Sequence, residues 1–197
     1  MFPAFLSSLV MLTCLIQGSN KVQFSIGANY SSYILYQDAE ISKDQWNIGG
    51  EIAIHNFMPN IGLKLRGSKL KYDIPVEENT YIYEYIPLTL CASFNILPFL
   101  KLDWLHVSLE TGFGLYFWKG FDESGEFIEF VPGEPMDEKD IGFVGGFTLQ
   151  VKPFKFIALE YVTRYNYIAS ADIYKYGFED KDEKLWENGI GLKIIIP

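Results

Sequence analysis

The sequence predicts an all-β chain closed into an eight-stranded antiparallel up-and-down β-barrel, and three observations support this. Eight segments alternate apolar and polar residues with period two, the signature of strands with one greasy and one polar face. Longer polar loops alternate along the chain with short proline-bearing turns, which is the connectivity of stacked hairpins. The chain of 197 residues combines 17% aromatic residues and 17 glycines with 21% charged residues. Its mean hydropathy is near zero, as expected where alternation averages the signal away.

The clearest strand is Leu105–Lys119, LHVSLETGFGLYFWK. Leu105, Val107, Leu109, Thr111, Phe113, Leu115 and Phe117 share one face, while His106, Ser108, Glu110, Gly112, Gly114, Tyr116 and Trp118 share the other. The same logic places a first strand at about Lys21–Gln37 and a second at about Gln45–His55. A third spans about Ile61–Tyr72, losing clean alternation in its later half, and a fourth spans about Thr80–Ile96. The sixth covers about Asp140–Lys152, the seventh about Phe156–Ile168, and the eighth runs through Trp186 to Ile196. Pro87, inside the fourth strand, cannot donate to a ladder and suggests a bulge. The short turns share their punctuation in Phe57-Met58-Pro59, Ile96-Leu97-Pro98 and Val151-Lys152-Pro153, a weak hairpin repeat that puts both termini at the turn end.

Residues 1–20 read as a secretory signal peptide: an apolar run from Ala4 to Ile16, followed by Gln17, Gly18, Ser19 and Asn20. The mature barrel would cover residues 21–197, with cleavage near Gly18 or Ser19. Beyond that segment no window of ~20 apolar residues exists to make a membrane helix. The net charge of −9 argues against a nucleic-acid partner, because phosphate recognition needs clustered Lys and Arg. Cys14 and Cys91 are the only cysteines; if Cys14 is removed with the leader, no disulfide framework remains.

The two faces decide which side is in. The polar face carries Glu51, Lys64, Arg66, Glu110, Glu160, Arg164, Glu187 and Lys193, four acids and four bases, beside small glycines. Buried charges must pair to offset desolvation, and this balance fits a packed lumen. Glu160 and Arg164 lie too far apart on one strand to pair directly, so their partners are expected on neighbouring strands, such as Lys193 for Glu160. The greasy face carries Tyr36, Trp46, Phe117, Tyr165, Tyr167 and Trp186 toward the loop end and Phe57, Phe94, Trp104 and Phe154 near the turn end. Two such girdles mark headgroup levels. The barrel is therefore expected to be transmembrane, embedded in outer-membrane lipid.

With these features, and above all the glycine–aromatic strand LETGFGLYFW at Leu109–Trp118, the chain resembles the small eight-stranded outer-membrane β-barrel domains of the OmpA/OmpX-like group. The resemblance covers about residues 21–197. It implies a bacterial outer-membrane location, handling by the barrel assembly machinery, a monomer, and a structural, adhesive or surface-interaction role without a cofactor. This chain ends Ile194-Ile195-Ile196-Pro197, where such barrels end in an aromatic residue.

The acidic loops are the remaining candidate site. Gly120–Asp140 carries Asp122, Glu123, Glu126, Glu129, Glu134, Asp137, Glu138 and Asp140 against Lys139 alone. Ala169–Glu183 adds Asp172, Glu179, Asp180, Asp182 and Glu183 against Lys175 and Lys181. Solvated, repelling loops are the ordinary account. The oxygen-rich surface around Asp122, Glu123, Glu126, Glu129, Asp137, Glu138, Asp180 and Asp182 could also hold divalent cations or a basic partner. Other readings stay open on sequence alone: a soluble lipocalin-like barrel with the greasy face inward, a narrow channel, and a lipid-modifying hydrolase. The hydrolase reading rests on His106-x-Ser108-x-Glu110, which resembles faintly the His-x-Ser of outer-membrane lipid A deacylase barrels, although the residues after Ser108 do not continue that pattern.

Overall fold

A computed structural model describes residues 22–37, 40–41, 45–76, 79–97, 102, 104–169 and 182–196. The predicted export segment, residues 1–20, lies outside the described residues. The strands are β1 (Gln23–Gln37), β2 (Glu40–Ile41), β3 (Gln45–Met58), β4 (Ile61–Ser68), β5 (Leu70–Val76), β6 (Asn79–Asn95) and β7 (Leu105–Phe121). They continue with β8 (Glu129–Val131), β9 (Glu134–Pro135), β10 (Asp137–Phe154), β11 (Ile157–Ala169) and β12 (Glu183–Ile196).

Hydrogen bonding runs β12-β11-β10-β7-β6-β4-β3-β1, and β1 pairs with β12 to close the ring. The closing seam runs from Phe24 opposite Ile196 to Tyr36 opposite Lys184. With β5 continuing β4 along β6, the ring is an eight-stave, all-antiparallel, up-and-down barrel, as the alternation predicts. Closure removes the free edges that an open sheet would expose.

Three details differ from the sequence expectation. Pro87 makes no bulge: β4 and β5 pair with β6 in one continuous register, from Gly67 opposite Leu88 to Leu70 opposite Tyr85. What proline removes is a donor, and the assigned ladder is interrupted between those two pairs. The register shifts fall instead at the turn end, between Ile54 and Met58 and between Val151 and Phe154. There Asn56 and Asn60 adopt φ of 55° and 62°, the left-handed region that asparagine tolerates better than most residues. Last, the Gly120–Asp140 stretch is not one loop, since β7 runs to Phe121, β10 starts at Asp137, and β8 and β9 form a small hairpin between them.

The third strand loses its sequence pattern because the pattern inverts. From Lys64 to Arg66 the inward residues are charged and the outward Leu65 is apolar; from Lys69 to Asp73, Leu70 and Tyr72 point in while Lys69, Lys71 and Asp73 are exposed. The same switch occurs on β7, where exposed Phe113 and Leu115 give way to exposed Lys119 while Tyr116 and Trp118 fill the inside. Below the switch the outer surface is a belt of exposed apolar side chains, including Phe24, Ile48, Leu90, Phe113, Phe143, Ile190 and Leu192. On β12 this belt runs from Trp186 to Ile196, the ~9–11 residues a tilted spanning strand needs. Above the switch the outer wall is polar, and Glu84 holds both Lys69 and Lys71 at 2.8 Å.

Glycines make room for the interior. Gly114 and Gly142 face each other across β7 and β10 and form a bed for the Tyr116 ring, whose Cε2 lies 2.5 and 2.8 Å from where their Cβ atoms would sit. Gly112 faces backbone instead, with a Cβ there 2.0 Å from the Leu90 carbonyl oxygen and 2.7 Å from Cys91 Cα. Neither group can yield without distorting β6. Gly112→Ala is accordingly expected to cost ~1–3 kcal/mol, as overpacking does, measured by urea unfolding. Gly145→Ala, with open space around its Cβ, should leave the midpoint unchanged.

Candidate functional site

The lumen is built in layers. In the middle layer all eight charges singled out on the polar face are buried and joined in one network. Arg66 on β4 is its hub. Its Nη2 lies 2.6 Å from Glu51 and 2.7 Å from Glu160, and its Nη1 lies 2.9 Å from Glu187. Lys64, two residues earlier on the same face, reaches Glu160 at 3.0 Å and also pairs with Glu110. Lys193 on β12 bridges Glu51 and Glu160. Arg164 on β11 donates through Nε to Glu110 at 2.7 Å. Thr148 donates to Glu110, and Ser31 and Tyr33 donate to Glu187.

Four acids and four bases so arranged leave no net charge in the layer. Each carboxylate meets one or more cations, which is what burial of ions requires. Long side chains fit because Gly27 and Gly146 lie against the Cγ atoms of Lys193 and Arg164, each 2.7 Å from where a Cβ would be. The hydroxyls and charges fill the barrel's width, as expected where eight strands enclose little more than side chains.

Above the charges sits a layer that the alternation did not single out. Tyr33, Leu70, Tyr72, Tyr85, Tyr116, Trp118, Met136, Ile168 and Leu185 pack as one apolar cluster inside the loop end of the barrel. Tyr85 stacks on Trp118 at 6.5 Å between ring centroids and meets Tyr72 edge-on at 5.9 Å. Three of the polar tips find partners: Tyr116 donates to Asn166 at 2.8 Å, Trp118 Nε1 to Asp140 at 3.0 Å, and Tyr85 to Glu183. The signal for this layer was the polarity inversion at Lys69–Asp73.

The acidic surface is partly a folded lobe. Asp122 organises a tight turn in which Gly125, at φ 80°, donates to the Asp122 carbonyl at 3.0 Å. The Ser124 hydroxyl and the Glu126 amide donate to the Asp122 carboxylate at 2.7 and 2.9 Å and hold it below the usual carboxylate range. Phe121 and Phe127 pack at 4.6 Å, with the Lys119 ammonium 5.3 Å from the Phe127 ring centre. Met136 lies inside, its carbonyl accepting from Gly120 at 2.8 Å.

On this lobe Glu123, Glu126, Glu129 and Asp137 are exposed. Asp140 is not part of the surface, since it is buried beneath Trp118. Glu138 lies on β10, opposite Trp118 in the ladder. Asp182 sits two staves away at the foot of the β11–β12 connection, where it accepts from Tyr167. Asp180 lies outside the described residues. Among the described residues no group of three or more His, Cys, Asp or Glu is placed to hold a metal ion.

His106 and Ser108 line a small cavity at the turn end of the lumen. Glu110 is committed elsewhere, to Lys64, Arg164 and Thr148, so its carboxylate belongs to the charge network. The lipocalin arrangement is likewise reversed, with apolar side chains outside and ions within.

No family model matches the chain, and no curated protein matches it. Solved structures do. A major outer membrane protein from Thermus thermophilus is 11% identical, with 89% of this chain and 99% of that chain covered and a TM-score of 0.64. Ail, the attachment invasion locus protein of Yersinia pestis, solved with the heparin analogue sucrose octasulfate, is 14% identical over 89% and 99% of the two chains, at 0.57. Neisserial surface protein A is 11% identical over 87% and 96%, also at 0.57. At such identities the likeness establishes the fold, which is that of the small eight-stranded outer-membrane β-barrels.

Proposed function

We propose that this chain is a non-enzymatic bacterial outer-membrane barrel with a closed lumen, which presents its acidic loop-end lobe to a basic partner. The observation behind the closed lumen is the pairing of all eight buried charges beneath an aromatic layer. The outer apolar belt and its two girdles support residence in a bilayer. Sequences this distant share only their fold with the chain, but one of the matched structures is by its printed name an attachment protein, which agrees with a surface role. That protein was solved with a polyanion; the exposed acids on this lobe favour the opposite charge.

Three measurements test this reading. The mature protein, refolded in detergent, should migrate faster unboiled than boiled, and identical migration would remove the membrane barrel. In planar bilayers it should give no steady conductance, and regular single-channel steps would replace the closed lumen with a pore. Against a lysine-rich peptide, protein in neutral vesicles should bind in a salt-dependent manner. Replacing Glu123, Glu126 and Glu129 with Gln and Asp137 with Asn should weaken that binding about tenfold at low salt, equivalent to ~1.4 kcal/mol. An unchanged affinity would remove the lobe from the contact.

A further inference from the structure

The turn end of the lumen differs in character from the neutral layer above it. A cavity of about 40 Å³ opens there between six consecutive staves, with room for about three waters or one small ion. Its described lining contains His55, His106, Lys64 and Lys152, together with serine, asparagine and glutamine side chains, and it contains no Asp or Glu. Lys64 shares its charge with Glu110 and Glu160; Lys152 stands on the cavity wall nearer the turn, two residues beyond Gln150 on the same face of β10.

Gln150 is the telling group. It is 5% exposed, and its Nε2 makes no hydrogen bond among the described residues. A buried donor left unmet is costly, so this amide is set up for a partner that arrives from the cavity. Gly62 helps to keep the space open, since a Cβ there would lie 2.7 Å from Ser93 Oγ. His106 sits directly opposite Gln150 in the ladder, and His55 is held from behind by Ser25, Oγ to Nε2 at 2.8 Å.

We propose that this turn-end cavity binds one small oxyanion, a phosphate or a carboxylate, between Lys152 and the buried amide of Gln150. Two lysines, two histidines and a buried amide donor around one small cavity are the chemistry such an ion needs. The inference requires only the barrel and not its residence in a membrane, so the gel-mobility test can fail without affecting it.

The test uses mature protein refolded in a non-ionic maltoside at constant ionic strength in chloride. Sodium phosphate or sodium acetate replaces chloride while the Gln150 side-chain amide and the His106 ring are followed by NMR. One or both ions should shift these signals saturably, and the ion preferred separates a phosphate from a carboxylate source. Lys152→Gln should weaken binding about tenfold, as loss of a charge-assisted hydrogen bond does. Gln150→Glu, which keeps the size and reverses the demand, should abolish it. Lys139→Gln, at the other end of the barrel, should change nothing. Shifts that do not saturate, or that Lys152→Gln leaves unaltered in a variant that still shows the folded gel mobility, would overturn the site in favour of a water-filled cavity.

Discussion

Replacing Arg66 with Met should destabilise the folded barrel by about 3–5 kcal/mol, the cost of breaking a buried ion pair from one side. The guanidinium touches Glu51, Glu160 and Glu187, so the substitution removes a partner from three carboxylates at once. Lys193 still serves Glu51 and Glu160, whereas Glu187, among the described residues, keeps hydroxyl donors from Ser31 and Tyr33. Most of the cost should therefore reside at Glu187. Urea titration of protein in lipid vesicles measures it, and adding Glu187→Gln to Arg66→Met should recover a large part of the loss. If the single variant unfolds at the wild-type midpoint, the network is not a source of stability. If the double variant is no better than the single one, the uncompensated carboxylate is not the cause.

Phe113→Arg should cost about 2–4 kcal/mol in a bilayer, the depth-dependent cost of a cation near the midplane of a barrel's lipid face. Phe113 is exposed, packs ring to ring on Phe143 at 5.3 Å, and lies between the girdles on β7. Trp186→Arg, at the loop-end girdle, should cost only ~0–1 kcal/mol because the side chain reaches the headgroups. A barrel with its outer face in water would show neither the cost nor the depth gradient, since an exposed arginine would replace an exposed phenylalanine. The pair of variants thus reads the orientation of the faces independently of gel mobility.

Alternation along Leu105–Lys119 was enough to assign both faces of β7, and the equal numbers of acids and bases on the polar faces indicated where the charges belong. What one-dimensional periodicity cannot contain is the pairing across the lumen. Lys64 on β4 meets Glu110 on β7 and Glu160 on β11, and Arg66 meets Glu187 on β12. These partners are not on adjacent staves, and only the curvature of the closed ring brings them within reach. The aromatic layer escaped for a related reason. A strand that leaves the membrane exchanges which of its faces must be apolar, so Leu70 and Tyr72 read as broken alternation when they are the same rule applied in water. The acidic stretch was legible as charge but not as shape: the Asp122 turn and the β8–β9 hairpin depend on Gly125 and Gly133, at φ 80° and 91°, and on inward Met136, which a tally of acids overlooks.

The seam between β1 and β12 sets a condition on time. Its thirteen rungs join the first strand made to the last, so the largest separation along the chain must be bridged before the ring exists. Loop closure over that distance is entropically slow, and topologies dominated by such contacts fold slowly. Until the final stave arrives, two long strand edges and an apolar belt stand open together, the combination that drives association between unfinished chains. The nascent polypeptide is therefore most vulnerable between emergence and closure, above all at Trp186–Ile196, whose greasy side chains appear last.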